Sequence, residues 1–474
     1  MTVGDFAELV RSKLPYEPNE QQRQLIGALA RFCSSATPSD SVFIVNGYAG
    51  TGKTSLTGAL VKALEEVGRQ VVLLAPTGRA AKVFSAHAGH PAFTIHRKIY
   101  RGPTGDLTGG STMMQRNNLE NAVFIVDEAS MIGDNETSDG MTAGSGLLED
   151  LLEYVFTGDN CRLIFLGDVA QLPPVGSTES PAMYPKRFKE LGLHVSRAVL
   201  TDTVRQSRTS GILRNATWLR RAMLMDPLPT PKLITSGFSD VHKLTGDDVI
   251  DTISRCYRED GPGETTIITR SNRRATAFNL GIRTQILESE EELCKGERLL
   301  IAKNNYMWSA KIKELDFIAN GDVAVVKEIH SSEMKYDFRF ANVTLHLPDR
   351  DVDVECKIFL DTLTDENASL SREDMQKLAE ACMMDPDVYA PEVPYDTRLR
   401  KLRNDPYFNA LQVKYAYAVT CHKAQGGQWK SVFVDMGYIP PDAYTTPEFY
   451  RWLYTATSRA TSRLTLINPA VQIN

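Results

Sequence analysis

The stretch SVFIVNGYAGTGKTSLTGALVKAL, residues 41–64, constrains the fold more than any other part of the chain. Val42–Val45 is a short apolar run of the buried-strand kind, and Gly47–Thr54 fits the pattern GxxxxGK[ST]. Leu56, Leu60, Val61 and Leu64 then recur at helical spacing, and Gly68 stands where a helix cap belongs. Strand, glycine loop and helix together are the context in which such a loop closes its backbone N–H groups around phosphates. The pattern assigns Gly50, Thr51 and Gly52 to the cradle. It assigns Lys53 to the β- and γ-phosphates of a nucleotide and the Thr54 hydroxyl to Mg²⁺. An α/β fold with a parallel sheet follows.

Further strands end in polar tips. VFIVDEASMI puts Asp127 and Glu128 after the apolar run Val123–Val126. In an ATP-hydrolysing protein the first carboxylate holds Mg²⁺ and the second polarises the attacking water. RLIFLGDVAQLPPV repeats the layout, and its Gln171 is placed to contact a γ-phosphate. VVLLAPTGRAAKVF opens a helix at Thr77-Gly78, a second anion site, and AFTIHRKI supplies Thr94 and His96. Taken singly, such hydroxyls are as readily helix caps. Gln22 is open in the same way: it completes a capping box with Asn19, and a Gln also pairs with an adenine edge.

At 474 residues the chain is too long for one core, so two to four domains are expected. No apolar run approaches the roughly 18 residues of a membrane span. Residues 1–16 read as an amphipathic helix without a signal-peptide layout. Seven scattered cysteines with no CxxC point to a reducing, cytoplasmic setting and away from a zinc or disulfide framework. A net charge of −6 excludes a protein that simply coats nucleic acid; any such binding belongs to a local groove.

The order of the phosphate loop, APTGRAAK, TIHR, DEAS and GDVAQLPPV resembles a superfamily 1 helicase of the RecD-like, Dda-like and PIF-type group, and the resemblance runs over nearly the whole chain. It implies two RecA-like domains with parallel sheets, a small inserted hairpin and an SH3-like β-rich insertion. It implies ATP and Mg²⁺ as cofactors, single-stranded and forked duplex DNA as partners, 5′-to-3′ polarity and function as a monomer. Roles in DNA replication, repair or recombination would follow. Arg205 in LTDTVRQS and Arg459 in LYTATSRA become arginine fingers. Thr77, Gly78, Thr94 and His96, with Asn272, Thr420, His422 and Lys423, become contacts to the DNA strand. In TCHKAQGGQ, Gln425 and Gly426 lie nearer the ATP side, which makes this stretch a coupling element. Without the family order, His422 would read as a buried core histidine.

The implied organisation is a first RecA-like domain over residues 1–200, with 97–121 as an inserted hairpin or, equally, a plain surface loop. The second RecA-like domain takes 201–325 and 411–474, and the β-rich insertion takes 326–410. A polar, Gly-rich loop covers 133–146. Two other functions fit parts of the sequence. One is an ATP-switched single-strand nucleic-acid binding module without unwinding. The other is a P-loop small-molecule kinase, which the paired arginines disfavour.

Overall fold

The computed structural model describes residues 1–101, 113–133, 146–202, 209–246, 248–312, 315, 317–390, 392–469 and 472–473. Arg205, residues 102–112 of the candidate hairpin and most of the loop at 133–146 lie outside the described residues. The chain divides into two compact units. The first comprises Met1–Arg101, Met113–Leu244 and Ala424–Asn474; the described part of the second lies within Thr245–Lys423.

The first unit is built on a six-stranded sheet. Its order is Ala92–Thr94, Val71–Ala75, Val123–Val126, Arg162–Gly167, Ser41–Gly47 and His194–Leu200. Every pairing is parallel, with Val45 opposite both Leu166 and Ala198. Both faces are covered, as parallel sheets require. Phe43 and Val45 pack with Leu25, Leu29, Leu56 and Leu60 on one side, while Val42 and Ile44 pack with Leu148, Leu151 and Phe165 on the other. This explains why the strands read as continuous apolar runs rather than alternating ones. A second parallel ladder in this unit joins Val241–Leu244, Ala460–Ile467 and Trp429–Asp435.

In the second unit Thr265–Thr269 pairs in parallel with Ala418–Thr420. Asn279, from the helix Asn272–Gln285, pins the chain entering the latter strand. Its Nδ2 donates to the carbonyls of Tyr415 and Ala418 at 3.1 and 3.0 Å, and its Oδ1 accepts from the N–H groups of Tyr417 and Ala418 at 3.0 and 2.7 Å. An antiparallel sheet follows the order Val352–Phe359, Phe338–Leu347, Val323–Lys335, Arg298–Ile301 and Val413–Tyr415. Residues 323–359 supply three of these antiparallel strands. Arg372–Met384 and Tyr395–Leu402 are helices whose Leu378, Cys382 and Leu402 pack on Phe340 and Phe359.

Among the described residues, no helix is long and apolar enough to cross a membrane.

Candidate nucleotide site and strand-contact residues

The glycine loop leaves the strand Ser41–Gly47 and enters the helix Lys53–Glu66. Gly50 and Gly52 have φ of +75° and +83°, in the left-handed region where a side chain is strained. Gly47 serves a different need. A Cβ there would stand 2.5 Å from Lys53 Cγ, so the glycine makes room for the lysine stem. Lys53 Nζ donates to the Gly47 carbonyl and lies 3.5 Å from that of Tyr48. Thr54 is the second residue of the helix and is half-buried. Thr51 is fully buried, and its hydroxyl donates to the Tyr48 carbonyl at 2.8 Å.

Gln22 does two things in this fold. Its Oε1 completes the capping box by accepting from Asn19 N–H at 3.0 Å, and its Nε2 donates to the Thr51 carbonyl at 2.9 Å. The residue is only 1% exposed. The amide oxygen is therefore engaged at the helix cap and the amide nitrogen at the glycine loop.

Asp127 and Glu128 follow the strand Val123–Val126, two places across the sheet from the glycine-loop strand. Glu128 takes φ +51°, a left-handed conformation costing roughly 1–2 kcal/mol for a non-glycine residue. Such strain is held where the surroundings over-determine the backbone. Here the Glu128 N–H donates to Asp127 Oδ1 at 2.8 Å. Burial, then the neighbouring Glu128 charge, pushes the Asp127 carboxyl up to about 6. A carboxylate so destabilised is a strong candidate to accept a cation.

Gln171 lies just beyond the strand Arg162–Gly167. It is 6% exposed, and its Oε1 has no hydrogen-bond partner among the described residues; the same holds for Ser130 Oγ. Both line one small cavity with Asp168, Tyr184 and Arg451. Two orphaned polar atoms at the strand tips suit a site completed by a polar ligand.

The C-terminal segment of the first unit brings in the remaining groups. Arg459 follows the helix Pro447–Thr457 and is 4% exposed. Its guanidinium donates to the carbonyls of Thr455 and Gly427 at 3.2 and 3.4 Å, and comes within 3.9 Å of Glu128 Oε1. Gln425 Nε2 donates to the Leu172 carbonyl at 2.7 Å. Gly426, at φ +72°, runs so close to the helix Gly78–Ala88 that a Cβ would meet Ala80 Cβ at 3.0 Å. A Cβ at Gly427 would fall 2.6 Å from the Trp429 ring, over which Arg79 stacks at 3.9 Å.

The residues expected to touch a strand fall in both units. Thr77 and Thr94 cap helices, accepting from Ala80 and Arg97 N–H at 3.2 Å each. Thr94 is 2% exposed, so its hydroxyl faces the protein rather than solvent. Gly78 opens the first of these helices and is buried; His96 packs its ring 5.7 Å from that of Tyr100. In the second unit, Asn272 begins a helix capped by Ser271. Thr420 is half-buried opposite Thr269, His422 is exposed, and Lys423 donates to Asn320 Oδ1. The core-histidine reading of residue 422 is thus replaced by a solvent-facing ring.

Sequence reading missed one pair, Asp168 and Tyr454. The Tyr454 hydroxyl donates to Asp168 Oδ2 at 2.5 Å and accepts from the glycine-loop N–H of Ala49 at 2.9 Å. The available signal was a tyrosine inside an apolar helical stripe, since a buried phenol needs a partner.

A glycine loop at the end of a parallel strand, with a lysine inside it and an acidic pair on a nearby strand tip, defines a P-loop nucleotide-binding protein. Residues 17–224 match the family described as an AAA domain, and residues 415–467 match the UvrD-like helicase C-terminal domain. The chain is 37% identical over 135 residues to the ATP-dependent RecD2 DNA helicase of Deinococcus radiodurans, covering 28% of this chain and 16% of that protein. It is 26% identical over 262 residues to the ATP-dependent DNA helicase dda of Enterobacteria phage T4, covering 54% of this chain and 55% of that protein. The structure of Pif1 helicase from Bacteroides in complex with ADP-AlF3 and ssDNA aligns over 96% of this chain and 93% of that one, at 15% identity and a TM-score of 0.48. The two domain matches and the helicase relatives make the chain similar to superfamily 1 helicases of the RecD-like and Dda-like kind. It spans about a sixth of the RecD2 helicase and about half of dda.

Proposed function

We propose that the protein is an ATP-dependent DNA helicase that moves 5′-to-3′ along single-stranded DNA and opens forked duplexes. The observation that carries the reading is the convergence of Lys53, the Asp127–Glu128 pair and Arg459 in one unit, with Arg459 only 3.9 Å from Glu128. A guanidinium at that position neutralises charge growing on a transferred γ-phosphoryl group.

Lys53 and the loop amides would hold the phosphates, and Thr54 and Asp127 have the donor set for Mg²⁺. When bound, the metal would neutralise phosphate charge. Glu128 would orient and deprotonate the attacking water. Gln171, with its unpartnered Oε1, would register the presence of the γ-phosphate. Arg205 would supply a second guanidinium. Gln22 would act on the nucleotide by shaping the loop at Thr51.

On the strand side, Thr420, His422, Lys423 and Asn272 would hold phosphates of the DNA, as would Thr77, Gly78 and His96, while the buried Thr94 would serve only as the cap of its helix. Hydrolysis would alternate the grip of two RecA-like halves, with residues 326–410 as an SH3-like insertion and 97–121 as the wedge. A reaction that ATP favours in one state and ADP in the other drives such a cycle. The chain would work as a monomer in a reducing, cytoplasmic setting.

A forked duplex carrying a 5′ or a 3′ single-stranded tail, incubated with ATP and Mg²⁺, tests the reading. Unwinding of the 5′-tailed fork alone is expected. DNA-stimulated ATP hydrolysis with no unwinding of either fork would leave the strand-binding switch in its place.

A further inference from the structure

The phenol of Tyr454 is bonded to an amide of the glycine loop. Loop amides near a helix N-terminus serve the inner phosphates, and here the helix begins at Lys53 behind its cap Gly52. Ala49 lies three residues upstream of that cap, on the side of the loop that Tyr454 bridges to Asp168 beyond the strand Arg162–Gly167. In the proposed site the outermost phosphate of a nucleotide would extend to this side, where Gln171 lines a cavity with Asp168.

Building on the proposed ATP site, we infer that Tyr454 competes with the γ-phosphate for the Ala49 N–H and so sets how the protein discriminates nucleoside triphosphate from diphosphate. With a diphosphate, Ala49 keeps the phenol. With a triphosphate, a γ-oxygen takes the N–H and the phenol gives way.

The phenol gives up its position and keeps its proton. Asp168 is 1% exposed; its Oδ1 accepts from Ala170 N–H at 3.0 Å and its Oδ2 depends on Tyr454. Turning the O–H towards the phosphate would leave a buried carboxylate uncovered beside an anion, which is costly. Tyr454 is 1% exposed, so water cannot replace either partner without rearrangement. The displacement therefore falls on the helix Pro447–Thr457 itself. That helix is tied to the same strand tip through the Leu172 N–H, which donates to Thr455 Oγ1 at 2.8 Å. Arg459 stands two residues past the helix end, facing Glu128, so yielding at Tyr454 shifts the guanidinium that the γ-phosphate requires.

The test is equilibrium competition, in Mg²⁺, of ADP and of AMP-PNP (a non-hydrolysable ATP analogue) against a fluorescent nucleotide. Tyr454→Phe removes the competing oxygen and keeps the ring. AMP-PNP should bind about three- to tenfold tighter than to the wild type, the range of one exchanged hydrogen bond, while ADP changes by less than about twofold. Asp168→Asn, which weakens the anchor of the phenol, should move the AMP-PNP to ADP ratio the same way by a smaller factor. Unchanged ratios in both variants, or equal changes for both nucleotides, would overturn the inference and leave the ATP site standing. A wild-type protein that binds neither nucleotide would overturn the ATP site and the inference together.

Discussion

The two units solve opposite problems with the same device, a residue set just past the end of a parallel strand. In the first, four of the groups around the glycine loop are buried and interlocked. Gln22, Thr51, Asp168 and Arg459 are each under 5% exposed, and each of them hydrogen-bonds to another part of the site or its scaffold. In the second, the strand Ala418–Thr420 hands over to Cys421, His422 and Lys423, of which His422 is exposed. The contrast fits the chemistry. Phosphoryl transfer needs charges held in a site of low dielectric, where each counts for more. A polymer that slides needs exposed groups that can let go, and its phosphates are attracted even through water.

The sharpest way to break this contrast is Arg459→Ala. If Arg459 meets the γ-phosphoryl group as proposed, its removal should cost about 10³–10⁵ in kcat for ATP hydrolysis, measured by phosphate release. A loss under tenfold would demote Arg459 to a packing residue. Glu128→Gln should come next, with a fall of about 10²–10⁴ and nucleotide binding retained. Near-normal turnover would remove Glu128 as the base.

Asp127 separates burial from function. Its carboxyl is raised to about 6 by burial and by the Glu128 charge, so the folded protein binds this proton more tightly than the unfolded chain does. Stability from this group is therefore gained as pH falls towards and below about 6, and its ionised form opposes folding above that. Asp127→Asn should raise the Tm of the nucleotide-free protein at pH 7–8, by about 1–2 kcal/mol of stability, while abolishing Mg²⁺-dependent hydrolysis. The stability gain should shrink at pH 5. A variant less stable than wild type at pH 8 would contradict the assignment.

On the open side the effects should be smaller and selective. His422→Ala should lower DNA-stimulated hydrolysis several-fold more than basal hydrolysis, and the stimulated rate should lose its salt sensitivity in part. Equal loss of both rates would reject a strand contact. Smallest of all, Gly426→Ala should cost about 1–2 kcal/mol in thermal unfolding, through its φ of +72° and the contact with Ala80.

What the sequence revealed was local. Val42–Thr54 carries strand, loop and helix signals in unbroken succession, and the Asp127–Glu128 and Gly167–Gln171 tips repeat the same grammar. What stayed hidden was long-range pairing. Ala49, Asp168 and Tyr454 span some four hundred residues and share no periodicity, so no window of sequence contains their bond. Gln22 shows the other limit: its capping box was legible, but its second hydrogen bond to Thr51 was not. Compactness also follows contacts that spacing does not reveal, since Ala424–Asn474 packs with the first unit.

Asn279 carries a mechanical consequence. One amide side chain grips the peptide groups from Tyr415 to Ala418, where an antiparallel strand passes into a parallel one two residues before Thr420. Any pull on the residues beyond Thr420 would load that rivet before it reached the rest of the β-layer. Replacing Asn279 with leucine would leave a joint that creeps under tension, with the grip slackening although every residue proposed to touch the strand is still in place.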